Sequence, residues 1–455
     1  MEVKSNRQKF DEVPPPGAPS LAVFYDVSRL VNRAHGTVAT GIDRIDLRFA
    51  RAVLDRHGED CHFVVRVRRR VVLAERSLIV ALIDALERIW FDGGGHEPAI
   101  LRGLEKAAIR SSLTDIRPDR PKSAAGWPSW LFGQARLAAV AARRRARNAM
   151  RRSAMLEVAK LCEGRAGVYI TCSHTGLARQ MGALAMLGRA GVTRTVAYIH
   201  DLIPIEYPEF TRAGQSRVFA GFLGELANAG ADFIANSNDT ARRLEAYAAR
   251  KGWPAGPVSV VYPGIEGAPP PDRPPVEVDQ TPYFVVVGTI EPRKNHLLLL
   301  RIWRELAQSG HAPMPRLHVV GKRGWENKRV FEILDNCTVT RDHVTEHNDM
   351  TDAELAALLQ GARALLFPSF AEGFGLPLAE AVAAGVPVIA SDLPVYREIA
   401  GHGVDYLDPL DAAGWREAIM ELAQKPRIGS DHRICASFPA WESSATTFLN
   451  LVAEN

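Results

Sequence analysis

Short apolar segments of strand length alternate with apolar helical segments through most of this chain of 455 residues. The first predicted strand is Leu21–Asp26, and Ile42, Ile45 and Phe49 follow Thr40 at helical spacing. Because neighbouring parallel strands need a crossover connection, the alternation predicts an α/β fold with a buried parallel sheet. The other strands predicted in this half are residues 61–67, 167–171, 195–199, 232–235 and 258–261, with helices at 176–187 and 218–229 between some of them.

The proline-rich segment 264–282 has neither helical nor strand periodicity and predicts a linker. The alternation restarts after it, so the chain is predicted to hold two doubly wound domains. Their predicted elements are strands at 283–287, 316–320, 364–367 and 386–390 and helices at 296–308, 351–360 and 376–384. The predicted organisation is a flexible N-terminus (1–20), a first domain (21–263), the linker, a second domain (283–430) and a tail (431–455) whose helix packs back on the first domain.

Composition excludes several classes of protein. Hydrophobic residues make up 47% and charged residues 24%, which is typical of a globular protein. The five cysteines form no C-x-x-C pair, which argues against a disulfide framework or a zinc site. The N-terminus lacks an apolar signal-peptide core, and no apolar run approaches the roughly 20 residues of a membrane span. We therefore expect a cytoplasmic protein, soluble or peripheral on the inner face of the membrane.

Open parallel sheets bind ligands at the carboxyl ends of their strands, and the richest such end follows the strand at 364–367. A loop with Gly373 and Gly375 precedes a helix that begins at Leu376, an arrangement that favours anion binding at the helix N-terminus. Glu372 in the loop and Glu380 in the helix could reach different parts of one extended ligand. The alternative is a packing loop with two solvated carboxylates.

Basic residues follow the first strand of the same predicted domain. Gly288 and Thr289 end this strand, and Arg293 and Lys294 come shortly after it, where adjacent cations can neutralise a diphosphate. Two basic loop residues could also simply be solvated. Their place in the domain that carries the glycine-rich junction favours a function.

The first domain offers His200 at the end of the strand at 195–199. A single histidine is more often structural, but this one lies on the predicted ligand edge. A helix begins after residue 235, and we interpret Asn238 and Asp239 as capping residues, with Ser237 either a cap or a ligand contact.

These motifs together resemble the GT-B retaining glycosyltransferases of family GT4. The similarity runs from about residue 26 to residue 399 and rests on EGFGLPLAE, GTIEPRKN, YIHDLIPIEYPEF, ANSNDTARRL and VYPGI. It implies a GT-B fold, in which two Rossmann-like domains face a central cleft. Similar bacterial enzymes build surface polysaccharides and lipid-linked glycans, several of them with mannose from GDP-mannose.

The resemblance also implies roles for single residues. Glu380 would hold the donor ribose, His200 would approach the transferred sugar, and Arg293 and Lys294 would bind the diphosphate. The sugar and diphosphate would be surrounded by Glu372 and the backbone of Gly373, Phe374, Gly375 and Leu376. The remaining candidate donor contacts are Gly41, Ser237, Gly288, Thr289, Gly321 and the loop 324–326. Many relatives carry an arginine where this chain has Thr289, which makes Arg293 the expected substitute.

The chemistry needs stabilisation of a departing diphosphate, by a metal or by fixed positive charge. The chain contains no Asp-x-Asp motif, which favours Arg293, Lys294 and the helix N-terminus. We therefore expect a metal-independent hexosyltransferase without a cofactor, with a nucleotide sugar as co-substrate; retention of configuration is implied by the resemblance alone. A sugar-nucleotide epimerase, a phosphorylase and a non-catalytic nucleotide-sugar-binding protein are the alternatives.

A basic stretch at 117–152 has three interpretations. Its part from residue 136 to residue 152 contains seven arginines and no acidic residue, and Trp127 and Trp130 precede it. Such a segment suits an anionic membrane surface that presents a lipid-linked acceptor, through residues 127–152. A solvated insertion is the second interpretation. Nucleic-acid binding is the weakest, because no nucleic-acid-binding fold accompanies the stretch.

Overall fold

The structure, a computed structural model, describes residues 21–34, 38–67, 70–91, 155–173, 182–254, 256–265, 281–310, 314–425 and 438–454. The predicted flexible N-terminus, the basic stretch 117–152 and residues 266–280 of the predicted linker lie outside these residues. Residues 174–181, which include the start of the predicted helix 176–187, lie outside them as well.

Seven strands form the first sheet, in the order β3-β2-β1-β4-β5-β6-β7. All neighbours run parallel except β2 and β3. The strands are β1 (Leu21–Asp26), β2 (Cys61–Val67), β3 (Arg70–Leu73), β4 (Ala166–Thr171), β5 (Val192–Ile199), β6 (Asp232–Ala235) and β7 (Ser259–Val260). Around them lie helices α1 (Ser28–Arg33), α2 (Gly41–His57), α3 (Arg76–Trp90), α4 (Ala183–Arg189), α5 (Ile203–Glu206), α6 (Gln215–Asn228) and α7 (Asn238–Lys251).

Six parallel strands form the second sheet, in the order β10-β9-β8-β11-β12-β13. They are β8 (Tyr283–Val287), β9 (Arg316–Val320), β10 (Val344–His347), β11 (Ala364–Phe367), β12 (Val388–Ser391) and β13 (Asp405–Leu407). The helices are α8 (His296–Ser309), α9 (Lys328–Asn336), α10 (Asp352–Gly361), α11 (Leu376–Ala383), α12 (Pro394–Ala400) and α13 (Ala412–Gln424). The strand predicted at 386–390 begins two residues later, because Val386 N still donates to the carbonyl of Ala381 at the end of α11.

Each sheet is covered on both faces, because the side chains of a strand alternate between them. In β1, Val23 and Tyr25 belong to one buried cluster, whereas Ala22 and Phe24 belong to another. The same alternation divides β8 between two clusters in the second domain. The carboxyl ends of the two sheets face each other, and the residues that follow β5 and β11 are in contact.

The last helix, α14 (Trp441–Ala453), returns to the first domain. The rings of Phe448 and Phe49 stack with their centroids 4.2 Å apart. Arg194 of β5 donates to the carbonyls of Leu451 and Val452, each at 2.8 Å. A basic side chain therefore satisfies the carboxyl end of α14, where the helix dipole is negative.

Candidate active site

The carboxyl end of β5 and the loop after β11 are in contact across the two domains. A Cβ atom added at Gly373 would lie 1.9 Å from the carbonyl oxygen of His200, so only glycine allows this approach. The carbonyl of Gly373 accepts hydrogen bonds from Ser237 Oγ at 2.9 Å and from Thr240 Oγ1 at 3.2 Å. Strand-end residues of both domains therefore meet at one place.

Glu372 is 7% exposed and contacts three polar side chains. Arg293 Nη1 lies 2.7 Å from Oε2, and Lys294 Nζ lies 2.5 Å from Oε1. Ser369 Oγ donates to Oε1 at 3.0 Å. Burial raises the pKa of Glu372, but the two cations outweigh burial and lower it to about 2. The carboxylate is therefore ionised at neutral pH, and it offsets one of the two positive charges of Arg293 and Lys294.

The two cations differ in accessibility. The side chain of Arg293 is 23% exposed, and its Nε also lies 2.5 Å from Glu291 Oε1. Lys294 is 7% exposed, and its Nζ lies 4.5 Å from the centre of the Phe367 ring. Burial lowers the pKa of Lys294, while Glu372 raises it and Arg293 lowers it. Arg293 is therefore the cation better placed to meet a ligand, and Lys294 mainly holds Glu372.

His200 is buried, and its Nε2 lies 2.7 Å from the carbonyl oxygen of Cys172. Because a carbonyl can only accept, Nε2 carries the proton. Burial lowers the pKa of His200 to about 4; the Cys172 carbonyl raises it and Arg29 lowers it. Burial also raises the pKa of the next residue, Asp201, to about 6, although Arg293 lowers it. Because the pKa of His200 is about 4, its imidazole is neutral at physiological pH.

The N-termini of two helices, one from each domain, lie beside each other in the cleft. Helix α2 begins at Gly41, after a capping box formed by Thr40 and Asp43. Helix α11 begins at Leu376, after Gly375 with φ 97°. A Cβ atom added at Gly41 would lie 2.9 Å from Leu376 Cδ1, so the two helix starts are in contact. Both ends carry partial positive charge, which favours an anion between them.

Glu380 pairs with a residue of the opposite domain. Arg44 Nη1 of α2 lies 2.7 Å from Glu380 Oε1, and the same guanidinium contacts Asp352 of α10. The side chains of Arg44 and Glu380 are 20% and 28% exposed. The glutamate that the resemblance assigns to the ribose is therefore held in place from the first domain.

The remaining glycine-rich candidates form one packed group. A Cβ atom added at Gly321 would lie 2.0 Å from the carbonyl oxygen of Gly288, and one added at Gly324 would lie 2.8 Å from Thr289 Cγ2. Trp325 Nε1 donates to the carbonyl of Phe210 in the first domain at 3.3 Å. The structure thus brings these residues together at the ends of β8 and β9, beside the first domain.

Phe374 does not line an open site. Its side chain is 5% exposed and belongs, with Leu376 and Ala379, to a buried cluster built mainly from the first domain. Its ring centroid lies 6.1 Å from that of Tyr262. A donor could therefore meet only the backbone of Phe374, and the side chain joins the domains.

The interpretation of Asn238 and Asp239 as caps is wrong. Ser237 is the N-cap of α7, and its Oγ accepts from Thr240 N at 3.0 Å. The backbone amides of Asn238 and Asp239 instead donate to the carboxylate of Glu398, at 2.6 and 2.9 Å. A glutamate of the second domain thus completes the cap of a first-domain helix, and Ser237 contacts both the helix and Gly373.

Sequence reasoning missed four charged residues around the cleft: Arg29, Arg33, Arg44 and Glu398. Arg29 and Arg33 lie in α1, and both pair with Asp43. Because α1 follows β1, the strand-end rule applied to Asp26 would have drawn attention to them. Arg44 and Glu398 lie inside helices, and their partners come from the other domain, so no local pattern marks them.

An open cavity of about 490 Å³ lies beside α5 and α7 and is lined by Ile205, Glu206, Tyr207, Arg243 and Arg250. Among the described residues, no group of three or more His, Cys, Asp or Glu side chains could hold a metal ion. Within the same part of the chain, no helix has both the length and the apolar character that crossing a membrane requires.

Two doubly wound domains that share a site at their facing strand ends define the GT-B class of fold. Residues 272–434, which include the whole second domain, match the family model described as "Glycosyl transferases group 1". The chain also superimposes on an α,α-trehalose-phosphate synthase (UDP-forming) from Burkholderia xenovorans with a TM-score of 0.50. That match covers 66% of this chain and 77% of the other at 13% identity, so it supports the fold alone. The predicted fold class and family resemblance are confirmed.

The curated relatives include mannosyltransferases. The chain is 33% identical over 268 residues to the serotype-specific mannosyltransferase WbdA of Escherichia coli, covering 55% of this chain and 32% of that one. It is 33% identical over 172 residues to the O-antigen chain mannosyltransferase B of Escherichia coli, covering 37% of this chain and 45% of that one. The chain therefore spans less than half the length of these two relatives.

Proposed function

We propose that the chain is a retaining, metal-independent hexosyltransferase that moves mannose from GDP-mannose to a glycan or lipid-linked acceptor in surface polysaccharide synthesis. The family of the second domain and the mannosyltransferases among its relatives support transfer of a sugar, and of mannose in particular. Retention of configuration follows from the GT4 resemblance.

The observation that carries the proposal is the Glu372 loop. It brings an ionised carboxylate, two cations and the start of α11 against the end of β5, where His200 lies. A departing diphosphate needs fixed positive charge, and Arg293 and the amides at the start of α11 can supply it. The ionised Glu372 and the unprotonated nitrogen of the neutral His200 would accept hydrogen bonds from the hydroxyls of the sugar. Fixed charges of this kind also make a metal unnecessary, in line with the lack of an Asp-x-Asp motif.

The proposed step exchanges one bond at the anomeric carbon for another. The bond between this carbon and the diphosphate oxygen breaks, and its electron pair stays on the oxygen. The acceptor hydroxyl oxygen forms the new bond, and its proton passes to the departing phosphate. Contact between the domains would exclude water, which would otherwise take the place of the acceptor.

The first experiment measures the shift in melting temperature with a panel of nucleotide sugars, followed by product analysis with and without acceptor. We expect the largest shift with GDP-mannose and product only with acceptor. An epimerase would convert the donor with no acceptor present. No shift with any nucleotide sugar would contradict the proposal.

The second experiment replaces both cations, Arg293→Ala with Lys294→Ala. We expect turnover to fall by about 10³-fold or more, because losing one electrostatic donor at a reacting centre typically costs about 10²–10³-fold. The matched control is Arg416→Ala with Lys425→Ala, an exposed cation pair of the same domain that should leave the rate unchanged. Full activity of the first double variant would rule out the proposed mechanism.

A lipid-linked acceptor would place the reaction on the cytoplasmic face of the cell membrane, and residues 127–152 would supply the contact. The full chain should then sediment with vesicles that contain anionic phospholipid, and less so as salt is raised. Failure to sediment at low salt would contradict this part of the proposal.

A further inference from the structure

Arg29 and Arg33 form a cationic cluster at the start of α2, separate from Arg293 and Lys294. Arg29 Nε lies 2.7 Å from Asp43 Oδ1, and Arg33 Nε lies 3.0 Å from Asp43 Oδ2. The side chain of Asp43 is 0% exposed, whereas those of Arg29 and Arg33 are 18% and 35% exposed. The guanidinium groups therefore stand between a covered carboxylate and the solvent.

The cluster holds more cations than carboxylates. Lys322 of the second domain lies close to it: burial lowers the pKa of Lys322, and the charge of Arg33 lowers it further. Asp43 and Asp349 are the acidic groups near Lys322, and both raise its pKa. Arg29 and Arg33 share the single carboxylate of Asp43, so the pair exceeds it by one positive charge. An anion placed here would be attracted by that charge and by the N-terminus of α2.

Arg29 is the member of the cluster that points toward the reaction centre. Its Nη2 donates to Thr40 Oγ1 at 3.1 Å, directly before the first residue of α2. It is also close enough to His200 for its charge to lower the pKa of that imidazole. Gly41, at the start of α2, contacts Leu376 at the start of α11. Arg29 thus lies near the two helix starts and His200 together.

A guanidinium has five N–H donors, and the Asp43 and Thr40 contacts of Arg29 use two of them. The other N–H groups suit phosphate oxygens, which arginine binds in a forked geometry. On the second-domain side, Thr289 carries no charge, and its methyl group packs against Gly324. A cation from the first domain would therefore complete a site that otherwise depends on Arg293.

We propose that Arg29 binds the departing diphosphate from the first-domain side of the cleft, with Arg33 and Lys322 adding positive charge around it. This inference rests on the proposed function, because it assigns a residue to the leaving group of that reaction. It also makes diphosphate binding depend on both domains, since Arg293 and Arg29 approach from opposite sides.

The test compares Asp43→Asn with the double variant Arg29→Gln, Asp43→Asn. Removing Arg29 alone would leave the covered carboxylate of Asp43 with one cation fewer, whereas the double variant keeps the net charge of the cluster unchanged. The probe is inorganic pyrophosphate, titrated into the full-length protein by calorimetry. Arg51→Gln is the matched arginine control, because Arg51 lies in α2 but pairs with Asp84 and Glu87 of α3.

We expect Asp43→Asn and Arg51→Gln to bind pyrophosphate at least as tightly as the unaltered protein, and the double variant to bind about tenfold more weakly. Turnover of a nucleotide sugar should be at least tenfold lower in the double variant than in Asp43→Asn, and Arg51→Gln should leave it unchanged. Equal pyrophosphate affinity in Asp43→Asn and the double variant would overturn the inference and leave the proposed function standing. Pyrophosphate binding that depends on Arg29, in a protein that turns over no nucleotide sugar, would instead support the anion site and refute the proposed function.

Discussion

Two buried carboxylates lie on opposite sides of the cleft and carry their charge in different ways. Glu372 of the second domain has two cations and a hydroxyl around it, and its pKa falls to about 2. Asp46 of the first domain is 0% exposed. Its Oδ1 accepts from the Tyr25 hydroxyl at 2.9 Å, while Oδ2 has no hydrogen-bond partner among the described residues. Burial raises the pKa of Asp46 to about 7, with Tyr25 lowering it in part.

The groups around Asp46 and those around Glu372 favour opposite charge states. Asp46 belongs to a group of side chains that burial favours in the uncharged form. The Tyr25 hydroxyl donates to Asp46 and lies close to the Cys172 thiol, and the Cys172 carbonyl accepts from His200. Burial raises the pKa of the thiol and lowers that of His200. The second domain therefore holds the ionised Glu372 beside Arg293 and Lys294, whereas burial favours the uncharged forms of Asp46, Cys172 and His200 in the first domain.

The largest expected effect comes from Glu372→Gln. It leaves Lys294 and Arg293 without their shared counterion in a buried site, which should cost about 3 kcal/mol or more of unfolding free energy and abolish transfer. The folded pKa lies below the ordinary value, so the stabilising contribution is present above about pH 4.5 and is lost as pH falls toward about 2. Denaturant unfolding at pH 7 and at pH 3 measures it.

The control for Glu372→Gln is Glu305→Gln, which breaks an exposed pair with Arg416 and should change stability by less than about 1 kcal/mol. Equal losses in the two variants would mean that the Glu372 cluster contributes no more than a surface ion pair.

Asp46→Asn should stabilise the protein, in contrast to Glu372→Gln, which should destabilise it. The folded pKa of Asp46 is raised, so its favourable contribution is complete below the unfolded value of 3.8 and disappears as pH rises through about 7. The variant should match the unaltered protein near pH 4 and be more stable by up to about 4 kcal/mol near pH 9. Tyr25→Phe should move the transition to higher pH. A stability difference that is the same at both pH values would show that folding does not raise the pKa of Asp46.

The smallest expected effect tests the hydrogen bond between Ser237 of the first domain and Gly373 of the second. Ser237→Ala removes the N-cap of α7 and the hydrogen bond to Gly373, and should cost about 1 kcal/mol. Turnover should fall severalfold, because the glycine loop is held less firmly against His200. Ser443→Ala, an exposed serine in α14, serves as the control. If both variants have the same melting temperature and rate, Ser237 does not join the domains energetically.

The sequence predicted most of the fold, because strand and helix periodicity is local. The helix predicted at 296–308 occupies His296–Ser309, and the strand predicted at 61–67 is Cys61–Val67. The edge strands β10 and β13 escaped prediction because their residues are half-exposed and polar, so no apolar run marks them. Strand β3 is short and antiparallel, and it also lacks the strand–helix alternation.

The sequence predicted which residues follow the strands at the candidate site, but it did not predict which side chains pair across the two domains. His200, Arg293 and Glu372 follow strands of parallel sheets, and that rule needs only the order of elements. The contacts of Arg44 with Glu380, and of Glu398 with the start of α7, depend on how the two domains dock. A periodicity within one element contains no information about a partner hundreds of residues away, so these pairs required the structure.

The return of α14 to the first domain has a practical consequence for protein engineering. A hybrid that borrows its second domain from another protein cannot be made with a single junction near residues 266–280. It also needs a second junction between residues 425 and 438, so that the segment bearing Phe448 stays with Phe49 and Arg194. The half that is first in the chain is thus completed by a helix that follows the second domain.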